Sequence, residues 1–66
     1  MPRLTVNGTP RDSRAATLAD LVADLGLAGK PVAAERNGAV VPKREHAETA
    51  LAENDTIELV TLVGGG

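Results

Sequence analysis

The residues best placed to do chemistry in this sequence are the last three, Gly64, Gly65 and Gly66, which follow an apolar segment over residues 57–63. Glycines contribute no side chain to a core and weaken a strand, so they have little structural use there. Three extended residues reach about 10 Å beyond a folded domain. We therefore identify the carboxylate of Gly66 as the candidate reacting group, carried into narrow active sites by Gly64 and Gly65. A frayed terminus is the structural alternative.

The composition offers few other places for chemistry. A chain of 66 residues makes one small domain with little volume for an enzyme pocket. It contains no cysteine, so any sulfur chemistry must use sulfur supplied by another molecule. The sole histidine, His46, stands in a polar segment without a second strong ligand at zinc spacing, and we interpret it as a surface or loop-packing residue. We expect no catalytic group, no metal and no bound cofactor.

The charge distribution indicates which class of partner the protein can bind. The net charge is −2, the seven Lys and Arg residues are spread along the chain, and aromatic residues are absent. This pattern argues against nucleic acid, which needs a basic surface or stacking side chains, and suits a basic protein partner. The sequence shows no secretory signal and no apolar run of membrane-spanning length. We expect a cytoplasmic protein without a membrane partner, monomeric in isolation.

Two Asn-Gly pairs, Asn7-Gly8 and Asn37-Gly38, predict tight hairpin turns, because both positions of such a turn need positive φ. The strands that they join are expected over residues 3–6 and about 9–13, and over residues 32–36 and 39–41. Pro10 cannot donate to a ladder, so the second strand belongs at an edge of the sheet.

Between the hairpins the apolar period changes to that of a helix, at Leu18, Leu21, Val22 and Leu25. Thr17 is the predicted N-cap, with Asp20 completing a capping box three residues later. Gly26 is predicted to end the helix in a left-handed conformation, and Leu27 to fold back onto it.

The last third of the chain is predicted to hold one long strand. Residues 43–52 are expected to form a loop or a single helical turn anchored by Leu51, and residues 53–55 a turn. The apolar run over 56–63 belongs at the centre of a sheet. One helix across one face of a mixed sheet of about five strands gives an α+β fold, and parallel pairing of the first and last strands makes it a β-grasp. We assign residues 1–63 to this domain and residues 64–66 to a flexible reactive tail.

The last strand also indicates a docking surface. Alternation places Ile57, Leu59 and Thr61 on one side and Glu58, Val60 and Leu62 on the other. A single helix covers one face only, so apolar residues remain on the open face beside the tail, and such patches often mark a partner site. Val60 and Leu62 are the candidates. The alternative is that residues 43–52 cover them.

Taken in order, these segments resemble one family over the whole chain. The matching segments are Leu4-Thr5-Val6-Asn7-Gly8, Thr17-Leu18-Ala19-Asp20-Leu21-Val22, Asn37-Gly38-Ala39-Val40-Val41-Pro42, Asn54-Asp55-Thr56-Ile57-Glu58-Leu59-Val60 and Val63-Gly64-Gly65-Gly66. The chain resembles the sulfur carrier proteins of thiamine biosynthesis, the ThiS family, which are ubiquitin-like. Related sequences often carry an aromatic residue near His46, where this chain has none, and that difference concerns packing of the loop.

The resemblance implies that the protein is a covalent carrier and co-substrate, not an enzyme. An E1-like adenylyltransferase of the ThiF or MoeB type would activate the carboxylate of Gly66 with ATP. A cysteine desulfurase or another sulfur donor would then allow its conversion to a thiocarboxylate, and thiazole synthase, ThiG, would accept the sulfur. ATP would be used by the partner enzyme and not held by this chain.

Three other functions remain open at this stage. The small subunit of molybdopterin synthase has the same fold and Gly-Gly ending, although its chains are typically longer. A ubiquitin-like modifier attached to lysines of other proteins would use the same adenylated glycine. A plain binding module with an idle tail would undergo no ATP-dependent change.

Overall fold

The computed structural model describes residues 3–61, and the elements within this range follow the predicted order. They are β1 (Arg3–Val6), β2 (Thr9–Asp12), α1 (Leu18–Asp24), β3 (Val32–Arg36), β4 (Ala39–Val41), a 3₁₀ helix (Lys43–Glu48) and β5 (Thr56–Thr61). Leu62 and Val63, expected to continue the last strand, lie outside the described residues.

The five strands form one mixed sheet in the order β2-β1-β5-β3-β4. β5 occupies the centre, parallel to β1 and antiparallel to β3. The predicted β-grasp arrangement is therefore confirmed, including the pairing of the first strand with the last. β2 lies at an edge, where the missing N–H of Pro10 interrupts no second ladder.

The helix α1 begins and ends as its sequence predicts. The Thr17 hydroxyl accepts a hydrogen bond from the backbone of Asp20, whose carboxylate accepts one from the backbone of Thr17. At the other end Gly26 has a φ of +77°, and its N–H donates to the carbonyl of Ala23. The N–H of Leu27 donates to the carbonyl of Val22. This pair of bonds is a Schellman motif, which satisfies carbonyls that the helix leaves free.

The hydrophobic core lies between α1 and one face of the sheet. Four side chains are less than 2% exposed and form its centre: Leu4, Leu18, Leu21 and Ile57. Val6, Val32, Ala34 and Leu59 complete the sheet side, and Leu25 and Leu27 pack against it from the helix end. Ile57 and Leu59 therefore face the helix, which leaves the other side of β5 on the open face.

The segment over residues 43–52 is more regular than expected. Its first part is a 3₁₀ helix of six residues, longer than the single turn that the sequence indicated. The buried residue of this helix is His46, at 6% exposure, whereas Leu51 is only partly buried. The expectation that Leu51 anchors the segment was therefore incomplete, because the imidazole ring packs inward despite its polar sequence neighbours. Of the two interpretations of His46, as a surface or a loop-packing residue, the structure supports the second.

Candidate functional site

The structure describes the strand that leads to the candidate reacting group. Gly64, Gly65, Gly66 and Leu62 lie outside the described residues, so their predicted roles rest on the sequence. β5 runs through the middle of the sheet and is described up to Thr61, three residues before the first glycine of the tail. The ladder to β3 holds β5 as far as Thr61, whereas the ladder to β1 covers only Thr56 and Ile57.

The Asn7-Gly8 turn holds β5 through a side chain. The Oδ1 atom of Asn7 accepts a hydrogen bond of 2.7 Å from the N–H of Leu59, and its Nδ2 atom donates one of 3.1 Å to the Leu59 carbonyl. The amide thus extends the β1–β5 ladder where β1 turns away. Asn7 itself has the positive φ, +50°, that the turn requires.

The Asn37-Gly38 turn holds the start of the same strand. The backbone N–H of Asn37 donates to the carbonyl of Thr56 over 2.7 Å, and the N–H of Thr56 donates to Oδ1 of Asn37 over 2.8 Å. The side-chain amide of Asn37 also donates to Asp55 over 3.0 Å. The two Asn-Gly turns are confirmed as structural, and each binds β5 at a different residue.

Asp55 links this turn to the segment before β5. Its carboxylate accepts hydrogen bonds from Nε of Arg36 at 2.8 Å, from Asn37, and from the backbone N–H of Ala52 at 2.8 Å. Burial alone raises the pKa of Asp55, but the hydrogen bonds from these three donors and the charge of Arg36 outweigh it and lower the pKa below the ordinary 3.8. Asp55 is therefore an ionised structural group.

The open face of the sheet, on the side away from α1, carries exposed apolar side chains. Val60 is 59% exposed and Val40 is 74% exposed. The 3₁₀ helix packs against α1 and β3, so it does not shield Val60 as the alternative interpretation supposed. The predicted exposure of Val60 is confirmed, and its use by a partner stays a prediction.

A shallow hollow of about 230 Å³ lies on the opposite side of the molecule, between α1 and the 3₁₀ helix. It is lined by Ala19, Val22, Ala28, Gly29, Lys43, His46 and Ala47. The Nε2 atom of His46 lies 3.0 Å from the carbonyl of Val41 and donates to it, so this side chain serves to join the 3₁₀ helix to the end of β4. Among residues 3–61 no group of His, Cys, Asp and Glu side chains is arranged to hold a metal ion.

The sequence interpretation missed the polar contacts around β5. It treated Asn7 and Asn37 only as turn residues and Asp55 only as part of a turn. Apart from the local bond between Ala52 and Asp55, their contacts join residues 18 to 52 positions apart, as in the pair Asn7 and Leu59, so no local spacing reveals them. One signal was available: each Asn precedes Gly at a predicted hairpin, where a short polar side chain can reach a neighbouring strand.

The chain is similar over nearly its full length to proteins of known family. The model of the ThiS family matches residues 4–66. The sulfur carrier protein ThiS of Bacillus subtilis is 42% identical over 50 residues, which cover 76% of either chain. A crystal structure of the thiamine biosynthesis protein ThiS from Geobacter metallireducens superposes with a TM-score of 0.79 at 31% identity, covering 97% of this chain and 99% of that one.

Two longer proteins also match. Thiazole synthases of Paramagnetospirillum magneticum and Magnetococcus marinus are 38% and 42% identical over 65 residues, which is 97% of this chain. These residues make up 20% of either synthase. The chain thus spans about a fifth of the length of these two relatives. No helix within residues 3–61 is long and apolar enough to cross a membrane.

Proposed function

The chain belongs to the ThiS family, the sulfur carrier proteins of thiamine biosynthesis, and from this premise we propose that Gly66 carries sulfur as a thiocarboxylate. The observation that carries the proposal is the match of residues 4–66 to this family, together with a central strand, β5, that leads to the three terminal glycines. The protein is a carrier and co-substrate, and the catalytic groups belong to its partners.

The chemistry follows from the properties of a carboxylate. A terminal carboxyl group has an ordinary pKa of about 3.3–3.7, so at neutral pH it is ionised and resists nucleophiles. Its attack on the α-phosphorus of ATP, in the active site of an E1-like adenylyltransferase, expels pyrophosphate and forms an acyl-adenylate. Hydrosulfide from a donor can then attack the acyl carbon, expel AMP and leave the thiocarboxylate directly. If the donor is the persulfide of a cysteine desulfurase relay, its outer sulfur attacks, AMP leaves and an acyl disulfide forms; a thiol then cleaves the S–S bond, which releases the thiocarboxylate and leaves a disulfide on the donor side. We propose that the cycle runs in the cytoplasm, where ATP is available.

Thiazole synthase is the proposed acceptor of the sulfur. Two relatives bear that name, and each contains a segment similar to this chain. Gly64 and Gly65 form the narrow segment that enters the partner active sites, since a Cβ on either would widen the tail. The open face, with Val60 and with Leu62 beyond the described residues, serves as the docking surface for the activating enzyme.

The experiment is intact-mass analysis after incubation with the adenylyltransferase, ATP and a sulfur donor. We expect the native protein to exchange one C-terminal oxygen for sulfur. Deletion of Gly66 moves the carboxylate inward by about 3.5 Å, and Gly65→Val adds bulk to the tail, so both should load at least about 100-fold more slowly. A control replacement on the exposed surface of the 3₁₀ helix, Glu48→Gln, should load as the native protein does.

Two results would contradict the proposal. Efficient loading of the variant without Gly66 would show that this carboxylate is not the reacting group. Conjugates of higher mass, with no free thiocarboxylate, would instead identify a modifier of other proteins. Thermal unfolding of each variant should match the native protein, because a glycine contributes no side chain to a core and Glu48 is exposed.

A further inference from the structure

The open face combines apolar exposure with an unusual pair of charges. Glu35 on β3 lies directly opposite Glu58 on β5, and Val40 on β4 lies opposite Glu35. In the adjoining row Ala33 lies opposite Val60. Cross-strand partners project from the same face of a sheet, and these five side chains are all exposed, so they form one surface.

The two glutamates are held near each other without a described counter-ion. Directly opposite residues of an antiparallel pair have Cβ atoms about 4.5–5.5 Å apart, and like charges in this position destabilise a sheet. Within residues 3–61 the ion pairs join Arg3 to Asp12, Arg36 to Asp55 and Arg44 to Glu45, and none includes Glu35 or Glu58. Neither carboxylate therefore has an ionic partner among the described residues, and a cation placed between the two would be attracted to both.

We infer that the activating enzyme of the proposed function docks on this face with an arginine seated between Glu35 and Glu58. The apolar rim, Val40 and Val60, would contact apolar side chains around that arginine. An arginine fits better than a lysine, because its planar guanidinium presents five donors and engages two carboxylates at once. Its weaker hydration also suits a site with apolar neighbours. The inference rests on the proposed function and adds the chemistry by which the partner is recognised.

The test is calorimetric titration of the adenylyltransferase with the native protein and with Glu35→Gln, Glu58→Gln and the double variant. Each single change keeps the side-chain shape but removes one charge-assisted bond, and we expect it to weaken binding about tenfold at low salt. The double variant should bind no better than either single variant. Glu48→Gln, an identical change on the exposed surface of the 3₁₀ helix, is the matched control and should bind within about twofold of the native protein.

Salt provides a second measurement. Between about 50 and 500 mM salt the affinity of the native protein should fall steeply, whereas that of the double variant should change little. Thermal unfolding should show the glutamine variants to be at least as stable as the native protein, since a like-charge repulsion is removed.

The possible outcomes separate this inference from the proposed function. If the native protein loads sulfur and the double variant binds the enzyme as tightly as the native protein, the docking inference is wrong and the carrier function stands. If the native protein loads no sulfur with an active enzyme, the carrier function itself fails. A marked loss of thermal stability in either single variant would also overturn the inference, because the two charges would then be stabilising the free fold.

Discussion

Replacement of Asp55 by Asn tests the polar link between the Asn37-Gly38 turn and the start of β5. The Asp55 side chain is 7% exposed and accepts bonds from Arg36, Asn37 and the backbone of Ala52. Asparagine has the same shape but offers one acceptor oxygen, so its amide group must meet donors in place of the second carboxylate oxygen. Losing one partner of a buried ion pair typically costs about 3–5 kcal/mol.

We expect the lower end of that range for Asp55→Asn. The Arg36 side chain is 33% exposed, so water can solvate the guanidinium after the change. A loss of about 3 kcal/mol corresponds to a fall in Tm of roughly 15 °C in a domain of this size. Thermal and urea unfolding at neutral pH, followed by circular dichroism, measure both quantities. The matched control is Asp24→Asn on the exposed side of α1, which should change stability by less than about 0.5 kcal/mol.

The pH dependence gives an independent readout of the same residue. Because folding lowers the pKa of Asp55 below 3.8, its stabilisation is complete above the unfolded pKa and is lost as the pH falls through the folded pKa. The free energy of unfolding of the native protein should therefore decline below about pH 5, and the decline should be smaller in Asp55→Asn. Equal pH profiles, or a loss under about 1 kcal/mol at neutral pH, would refute the assignment of Asp55 as an ionised structural link.

Three further changes test the turns and the open face. Asn7→Ala removes both side-chain bonds to Leu59 and should destabilise the domain by about 2 kcal/mol, measured by urea unfolding. The matched control is Asn54→Ala, which should cost clearly less, because φ is also positive there but no side-chain bond is described. Gly38→Val should lower stability by at least about 1 kcal/mol; open space surrounds the added Cβ, so the cause is backbone strain at φ +86° and not a clash. Gly38→Asn should lose less stability, because asparagine tolerates a positive φ. If Gly38→Val lost sulfur loading at an unchanged Tm, the turn would contact a partner instead. Val60→Asp should weaken binding to the adenylyltransferase at unchanged Tm, and unaltered affinity in calorimetry would remove Val60 from the docking surface.

Local rules accounted for most of the fold. The helix start at Thr17 and its end at Gly26 each depend on residues within a few positions, so the sequence displays them. The central position of β5 could be predicted because a strand that is apolar on both faces needs neighbours on both sides. The parallel pairing with β1 was inferred from compactness alone, since no residue pattern in either strand specifies it.

The parts that escaped prediction depend on distant partners. Inward packing of His46 needs the Val41 carbonyl and the surface of α1, and its polar neighbours in the sequence gave no sign of either. The opposed pair Glu35 and Glu58 depends on the register between β3 and β5, which is fixed only when the sheet assembles. The roles of Gly64, Gly65 and Gly66 remain predictions from the sequence.

The position of β5 has a consequence for how the chain folds as it is synthesised. The hairpins β1–β2 and β3–β4 can close early, but the strand that joins them comes last in the described chain. Until Thr61 has left the ribosome, Leu4 and Leu21 lack Ile57 as a core neighbour. Pairing of residues some fifty positions apart is slow, because the chain loses the entropy of loop closure before the stabilising contacts form. The hydrophobic core of the nascent domain therefore stays exposed until that point, and we expect chaperones to bind the domain in that state.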